Sequence, residues 1–166
     1  DSIRYSVQNY GQRVVILRQK DSSPGIYLPI WIGASEAESI AMRLQEIDAP
    51  RPLTHDLLTT TIDSLGAKVL SVVVSDLKND TFFAKILLEY QDSTIELDSR
   101  PSDAIAIAVR SKAKIFAENL VVKKAGVTLN QEKDMSNQPS NVDENLSAFK
   151  DFVDTLDIDD LGNIGK

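Results

Sequence analysis

The fold is organised around Asp98-Ser99-Arg100-Pro101-Ser102-Asp103-Ala104-Ile105-Ala106-Ile107-Ala108-Val109, where a polar segment runs straight into a row of apolar side chains. The apolar row predicts a helix over residues 102–111 that is packed on most sides. An arginine can bind a carboxylate or a phosphate through two parallel hydrogen bonds. Asp98 and Asp103 can accept hydrogen bonds or ligate a hard cation. The charged groups at the start of this helix therefore define the functional question.

The composition limits the classes of protein to consider. The chain has 166 residues and no cysteine, so one main domain is expected, and disulfides and thiolate metal sites are excluded. Residues 1–126 hold 15 Lys and Arg against 16 Asp and Glu, a net charge of −1, whereas residues 127–166 hold 3 against 9, a net charge of −6. A nearly neutral domain lacks the basic surface that non-specific nucleic-acid binding usually requires.

The hydropathy pattern favours a soluble protein. No run of about 18 apolar residues is present, and the first residues do not resemble a signal peptide. Together with the lack of cysteine, this predicts a cytoplasmic location and no membrane partner.

Short apolar runs that alternate with turn residues predict an α+β fold with an antiparallel or mixed sheet. Strands are expected at residues 3–7, 14–17, 26–32, 68–75, 82–90, 94–98, 115–117 and 120–122. Two central helices are expected at about residues 35–46 and from the cap residue Thr54 to a stop at Gly66. Pro29 has no N–H, so its strand should be at an edge or locally irregular.

The chain divides into three segments by composition. Residues 1–125 are expected to form the α+β domain, residues 126–141 a polar linker, and residues 142–166 an acidic, amphipathic C-terminal extension. Apolar side chains recur at helical spacing from residue 142 to about 155, which predicts a helix with one apolar stripe. Its partner can be the core of the chain, a neighbouring subunit or another protein, and the sequence does not choose among them.

His55 is the only histidine, so a multi-histidine zinc site is excluded. It lies at a helix start beside Asp56, where it could act as the general acid or base of a hydrolysis. Alternatively, Thr54 caps the helix, Asp56 complements the helix dipole, and His55 fills the edge of a groove. From spacing alone, the structural interpretation is favoured.

Two polar junctions share one pattern. Arg51-Pro52 and Arg100-Pro101 each lead into a helix with carboxylates nearby. Arg100 can simply neutralise Asp98 or Asp103 in a structural ion pair. If the two helix starts converge, they form an anion site flanked by carboxylates that can hold a divalent ion. Such a site suits phosphodiester hydrolysis, because a metal ion and arginines stabilise charge on phosphate oxygens while a base activates water.

Segments spread over residues 3–122 resemble the bifunctional nuclease domain family of bacteria and plants. The segments that carry the resemblance are Leu28-Pro29-Ile30-Trp31-Ile32-Gly33, Glu36-Ala37, Pro50-Arg51-Pro52-Leu53-Thr54-His55-Asp56-Leu57-Leu58, Leu65-Gly66-Ala67, Phe82-Phe83-Ala84 and Asp98-Ser99-Arg100-Pro101-Ser102-Asp103-Ala104-Ile105-Ala106. The resemblance implies an α+β domain, usually oligomeric, with activity on RNA and DNA reported for plant members. Both polar junctions belong to its signature segments.

The leading hypothesis is a nuclease that hydrolyses phosphodiester bonds of RNA, DNA or both with a divalent cation such as Mg²⁺ or Mn²⁺. Its candidate residues are a phosphate-binding pair (Arg51 and Arg100), a metal-binding pair (Asp98 and Asp103), and a catalytic set (His55, Asp56, Asp98 and Asp103). The alternative is a non-catalytic, oligomeric module that regulates another protein or binds an anion or other ligand. The small side chains of the apolar helix also suit close approach of a neighbouring subunit, so a homo-oligomer is expected.

Overall fold

The computed structural model describes residues 2–4, 13–20 and 24–128, and of residues 2–4 only the backbone. The fold is α+β, as predicted. The strands are β1 (Ser2–Arg4), β2 (Arg13–Arg18), β3 (Ile26–Ile32), β4 (Lys68–Lys78), β5 (Thr81–Tyr90), β6 (Ser93–Ser99), β7 (Lys114–Ala117) and β8 (Val127–Thr128). The helices are α1 (Ala34–Leu44), α2 (Thr54–Ser64), α3 (Pro101–Ser111) and α4 (Asn119–Ala125).

The described strands form two sheets. The first has the order β1-β2-β3-β8 and is antiparallel throughout. The second has the order β6-β5-β4-β7, in which β4, β5 and β6 form an antiparallel meander and β7 lies parallel to β4. The chain reaches β7 from β6 through α3, so this helix is the crossover that a parallel strand pair requires.

Helix α3 lies at the centre of the domain. Residues 104–108 are each at most 2% exposed. Ile105 and Ala106 pack in a core cluster with β2, β3 and α1, whereas Ile107 and Ala108 pack in a second cluster with β4, β5 and α2. The alanines let neighbouring elements approach closely, and the isoleucines fill the space on either side. The predicted buried helix is confirmed, and polar groups at its start have to be satisfied locally.

The starts of α1 and α2 differ in detail from the prediction. Helix α1 begins at Ala34 with Gly33 as its N-cap, one residue before the predicted start. Gly33 leaves room for the Glu36 carboxylate to fold back over the helix start, whereas a Cβ there would push this flexible side chain aside. In α2 the N-cap is Leu53 rather than Thr54, and the Asp56 carboxylate accepts the Leu53 N–H at 2.8 Å. A carboxylate in the first turn thus replaces the expected hydroxyl cap.

Two prolines and a glycine fit their positions in these elements. Helix α3 begins at Pro101, one residue before the predicted start, where the missing N–H of proline costs nothing. Gly66 follows the end of α2 with φ of +77°, a conformation that glycine adopts without strain. Pro29 pairs with Ile16 in β2, but β8 reaches only as far along β3 as Tyr27, so on its other side Pro29 lies past the end of the paired segment.

The strand predicted at residues 120–122 is wrong. These residues lie in α4, where the Glu118 carbonyl accepts the N–H groups of Val121 and Val122. Val121 is fully buried in the first core cluster, and Ala125, four residues later, packs against the same cluster. This one-sided burial at helical spacing overrides the strand preference of two consecutive valines. The first predicted strand is described only at residues 2–4, and the predicted C-terminal helix lies outside the described residues.

The described fold extends into the predicted linker. Val127 and Thr128, within the segment predicted as a linker, pair with Tyr27 and Ile26 of β3.

Among the residues that the structure describes, none of the helices has the length and apolar content needed to span a lipid bilayer.

Truncating the centre of α3 should destabilise the domain. Ile107 is 0% exposed, so Ile107→Ala should lower the free energy of unfolding by about 2 to 5 kcal/mol through lost burial and a residual cavity. Ile47 is 52% exposed, and the matched change Ile47→Ala should cost under about 1 kcal/mol. Urea unfolding followed by circular dichroism measures both. Equal losses in the two variants would contradict the central position of α3.

Candidate functional site

The polar ends of α1, α2 and α3 meet in one network, here named the three-helix junction. It comprises Glu36 and Ser39 of α1, His55 and Asp56 of α2, Arg100 at the N-cap of α3, and Asp103 and Arg110 within α3. His55 Nε2 lies 3.0 Å from Asp103 Oδ1, which joins segments 48 residues apart. The two polar junctions of the sequence therefore lie together.

His55 is held between α1 and α3. Its side chain is 11% exposed, Nε2 contacts Asp103 Oδ1, and Nδ1 lies 3.0 Å from Ser39 Oγ. Its carbonyl accepts the Thr59 hydroxyl at 2.8 Å within α2. Both ring nitrogens are thus engaged, so the imidazole can reach a water molecule only if one of these contacts opens.

The partners of His55 determine its tautomer. Arg110 Nη2 lies 3.0 Å from Ser39 Oγ and can only donate, so the hydroxyl accepts from it and keeps its own hydrogen for His55 Nδ1. An ionised Asp103 can only accept, so the imidazole hydrogen lies on Nε2. This Ser–His–Asp arrangement differs from a nucleophilic triad, because Ser39 is only 6% exposed and serves to orient the ring.

Arg100 is the exposed member of the junction. Its side chain is 67% exposed, and Nε donates to Asp103 Oδ2 at 2.7 Å. Nη2 donates to Glu36 Oε1 at 2.8 Å and to Asp103 Oδ1 at 3.1 Å. Within the described part of the chain Nη1 has no partner. The guanidinium is therefore fixed by two carboxylates, and its Nη1 edge is the part that a ligand can reach without breaking these contacts.

Arg110 is the buried counterpart at the other end of the network. Its side chain is 6% exposed, and Nε donates to Asp56 Oδ1 at 2.6 Å. The other guanidinium nitrogens donate to the Ala106 carbonyl and to the carbonyl and hydroxyl of Ser39. One arginine thus ties α3 to both α1 and α2, and the planar fork that makes this possible is not available to lysine.

The carboxylates of the junction are stabilised in their charged form. Burial works to raise the pKa of Asp103, but hydrogen bonds from Arg100 and His55 outweigh it and hold the pKa below the ordinary 3.8. Burial also opposes ionisation of Asp56, whose pKa is nevertheless lowered by the Leu53 N–H and by Arg110. The hydrogen bonds to Asp103 in turn raise the pKa of Arg100. While these contacts last, Asp103 is a weak base.

Asp98 does not lie in the three-helix junction. It pairs with Lys85 across β5 and β6, and side chains of paired residues share a face of the sheet. Ala84 and Ile86, which alternate with Lys85, are buried against α3, so Asp98 lies on the opposite face from Asp103. Arg51 is exposed two residues before the N-cap of α2, and the described residues provide it with no hydrogen-bond partner.

The proposed metal pair does not fit this geometry. Asp98 and Asp103 face opposite sides of the second sheet, and both oxygens of Asp103 already accept hydrogen bonds. In residues 13–20 and 24–128, no group of three or more His, Asp or Glu side chains is placed to hold a metal ion. A shared divalent ion on these two aspartates therefore has no support in the arrangement of the donors.

The sequence did not identify Ser39 and Arg110 as site residues, and Glu36 appeared only in a segment that carries the family resemblance. Arg110 carries a detectable signal, because it lies seven residues after Asp103 on the same face of a helix that is otherwise apolar. A charge at that position in a buried helix requires a partner. Ser39 carries no such signal, since a serine among small residues of α1 is equally compatible with a buried or an exposed position.

The Asp103 contacts predict a specific loss of stability in acid. Because the pKa of Asp103 is lowered by folding, its contribution is fully present above about pH 5 and is lost as the pH falls through the native value. Urea unfolding between about pH 6 and pH 3 should show a steeper loss in the parent than in Asp103→Asn. Asp63→Asn, which removes an exposed carboxylate of α2, is the matched control and should keep the parent slope. Equal slopes for the parent and Asp103→Asn would contradict the network.

The hydrogen-bond network also predicts the tautomer of His55. In mildly alkaline solution, long-range ¹H–¹⁵N spectra of the imidazole should show a protonated Nε2 and an unprotonated Nδ1. Since the chain has one histidine, the signals need no assignment. Ser39→Ala removes the donor to Nδ1 and should shift the Nδ1 resonance, whereas the exposed Ser64→Ala should not. A parent spectrum of the Nδ1–H form would contradict the contacts described above.

Comparison with other proteins places the chain in a family. The family model described as the bifunctional nuclease domain matches residues 15–130. A Mycobacterium tuberculosis protein described as uncharacterised is 38% identical over 154 residues, 93% of this chain and 91% of that protein. Bifunctional nuclease 1 of Oryza sativa subsp. japonica is 27% identical over 120 residues, 70% of this chain and 36% of that protein. Bifunctional nuclease 2 of Arabidopsis thaliana is 24% identical over 136 residues, 80% of this chain and 41% of that protein.

The matches differ in extent, since this chain spans well under half of either plant protein but nearly all of the mycobacterial one. The family match covers more than half of the chain and includes every residue of the three-helix junction. The chain belongs to the bifunctional nuclease domain family.

Proposed function

We propose that this domain hydrolyses phosphodiester bonds of RNA or DNA at the three-helix junction. The observation that carries the proposal is the position of Arg100 at the start of a buried helix, where its guanidinium is 67% exposed and its Nη1 edge has no partner among the described residues. Family membership and the names of the plant relatives support the reaction class. The proposal concerns the three-helix junction of this chain and says nothing of the activity of the longer plant proteins.

Arg100 suits the recognition of a phosphodiester. Phosphate oxygens accept two hydrogen bonds from one guanidinium, and the positive end of a helix dipole adds to the attraction. The first turns of α2 and α3 lie side by side at His55 and Asp103, so both helix starts act on the same region. Arg51, exposed just before α2, is available for a neighbouring phosphate of the same strand.

Phosphate binding to Arg100 also changes the chemistry of Asp103. A phosphate that draws the guanidinium away removes the first of the interactions that lower the pKa of Asp103. The carboxylate then becomes a better base, while His55 Nε2–H still donates to Oδ1 and fixes its orientation. Oδ2 can accept a proton from a water molecule as that water attacks phosphorus, and the P–O bond to the leaving nucleotide breaks with its electron pair on oxygen.

In this mechanism Asp56 and Arg110 are positioning residues. Asp56 caps α2 and binds the buried Arg110, which in turn holds Ser39 against His55. Asp98 lies on the other face of the sheet and has no part in the reaction. The proposed steps involve only side chains of the chain and water, and the requirement for a divalent cation is a separate question that the assay answers.

The experiment compares cleavage of a fluorescent single-stranded RNA and a DNA of the same sequence by purified parent and variant proteins. Arg100→Ala and Asp103→Asn should each lower kcat/KM by about 100-fold, the usual effect of removing a charge-stabilising group or a general base. Lys68→Ala removes an exposed cation at the start of β4 and should leave the rate unchanged. Parallel reactions with EDTA, Mg²⁺ or Mn²⁺ show whether a divalent ion is needed.

The outcome is decisive only with folded, clean protein. Circular dichroism and the urea midpoint identify a variant that fails to fold, and Arg100→Gln provides a smaller change at the same position. If Arg100→Ala and Asp103→Asn degraded RNA as fast as the parent, cleavage would come from another site or from a contaminating nuclease. A parent without activity in every metal condition would also end the proposal.

A non-catalytic function is the second candidate, and one observation favours it. Apart from the edge of Arg100, the junction is closed, since both nitrogens of His55 and both oxygens of Asp103 already have partners. A closed network suits a module that binds an anion and changes its contacts to a partner or a second subunit. Phosphate binding that requires Arg100, without cleavage of any nucleic acid, would favour this function over hydrolysis.

A further inference from the structure

The second sheet has a face that helix α3 does not cover. One face packs on α3 through residues such as Val72, Ala84 and Ile86. The opposite face contains a groove of about 660 Å³, here named the outer groove. Its floor and rim include Val73, Phe83, Leu87, Asp98, Glu118 and Leu120. No described helix or strand fills it, and it is separate from the three-helix junction.

The outer groove exposes apolar side chains as well as charged ones. Phe83 is 38% exposed and Leu120 is 53% exposed. Phe116, next to Val73 in the register of β7 and β4, is 51% exposed. Phe83 and Leu120 line the groove, so an occupant can bury apolar surface there beside the charged groups.

The charges of the outer groove are unbalanced. Lys78 pairs with Asp76 at 2.7 Å, and Lys85 pairs with Glu96 at 2.7 Å. Asp98 and Glu118, the two remaining acids of the lining, form no ion pair with any described residue, and the Lys85 ammonium acts on both from beyond ion-pair distance. Four carboxylates against two ammonium groups leave the groove with a net charge of −2.

This charge selects among the possible occupants. Two copies of the chain docked groove to groove would bring two net negative surfaces together, which is unfavourable for association. A nucleic acid carries the same sign as the groove and is repelled. An occupant that places one cation between Asp98 and Glu118 and apolar side chains on Phe83 and Leu120 satisfies both features.

We propose that the outer groove binds a segment of another protein in which a Lys or Arg side chain is flanked by apolar side chains. The apolar side chains bury the exposed surface of Phe83 and Leu120, and the cation neutralises Asp98 and Glu118 at the rim. The proposal is independent of the proposed hydrolysis, because the groove lies on the other face of the sheet from Asp103. It also gives Asp98 a role that its position supports.

The experiment uses two probe peptides and amide spectra of the ¹⁵N-labelled full chain. The peptides are acetyl-Ala-Val-Arg-Phe-Ala-amide and the same sequence with Glu in place of Arg. Because so few contacts give a dissociation constant of about millimolar, the peptides are added at about that concentration. The arginine peptide should shift amides of β4, β5 and β6 around Val73 and Leu87. It should bind about fivefold more tightly than the glutamate peptide, the upper effect of one exposed ion pair.

Charge reversal provides the matched variants. The double variant Asp98→Lys with Glu118→Lys should reverse the preference and favour the glutamate peptide. Asp63→Lys, an equal change on the exposed side of α2, should keep the parent preference. Only variants that retain the parent circular dichroism spectrum are compared. If the double variant with two lysines does not fold, Asp98→Asn with Glu118→Gln takes its place and should remove the preference for the arginine peptide.

Four results would overturn the proposal. Equal binding of both peptides would remove the role of the two acids, and no amide shifts at all would remove the site. Shifts of the groove amides that depend on protein concentration without peptide would make a second copy the occupant. Shifts of the same amides with a short oligouridine would make nucleic acid the occupant.

Discussion

The burial of α3 is the constraint on which the rest of this structure depends. A helix that is packed against two sheets and two helices cannot expose its polar ends freely, so the groups at its start need partners within a few ångströms. The partners come from the starts of α1 and α2, which explains why three helix ends meet at His55, Asp103 and Arg100. The polar network is therefore a consequence of the apolar core as much as a preparation for chemistry.

The two arginines of the network have different physical roles because their burial differs. Arg110 is 6% exposed, and removing it would leave Asp56 and Ser39 without their common donor, so it fixes the relative positions of the helices. Arg100 is 67% exposed and its ion pairs are screened by water, so they can open at modest cost. The buried arginine holds the framework, and the exposed arginine is the member that a ligand can recruit.

The sequence predicted the main elements of the fold but only some of the residues that form the candidate site. The row from Ala104 to Val109 predicted the central helix, and the nuclease hypothesis required that the two helix starts converge, as they do. The alternation of Glu96, Leu97 and Asp98 along β6 already implied that Asp98 points away from the buried face, which separates it from Asp103. Ser39 could not be predicted because its importance arises only from the packing of three helices, whereas Arg110 carries a signal in its position on an apolar helix. The strand predicted at the valines of α4 followed their local preference, which one-sided burial overrides.

Whether the three-helix junction is a catalyst or a scaffold depends on how tightly Arg100 is held. In the closed network the pKa of Asp103 is lowered and His55 is locked, which stabilises the fold and leaves little basicity for chemistry. An anion that competes for Arg100 reverses the first effect, because it takes the main partner of Asp103, and it leaves the His55 contacts in place. In the proposed hydrolysis, the interaction that satisfies the start of the buried helix would also act as the switch, and a side chain that bound Asp103 more strongly than Arg100 would stabilise the domain while preventing the reaction.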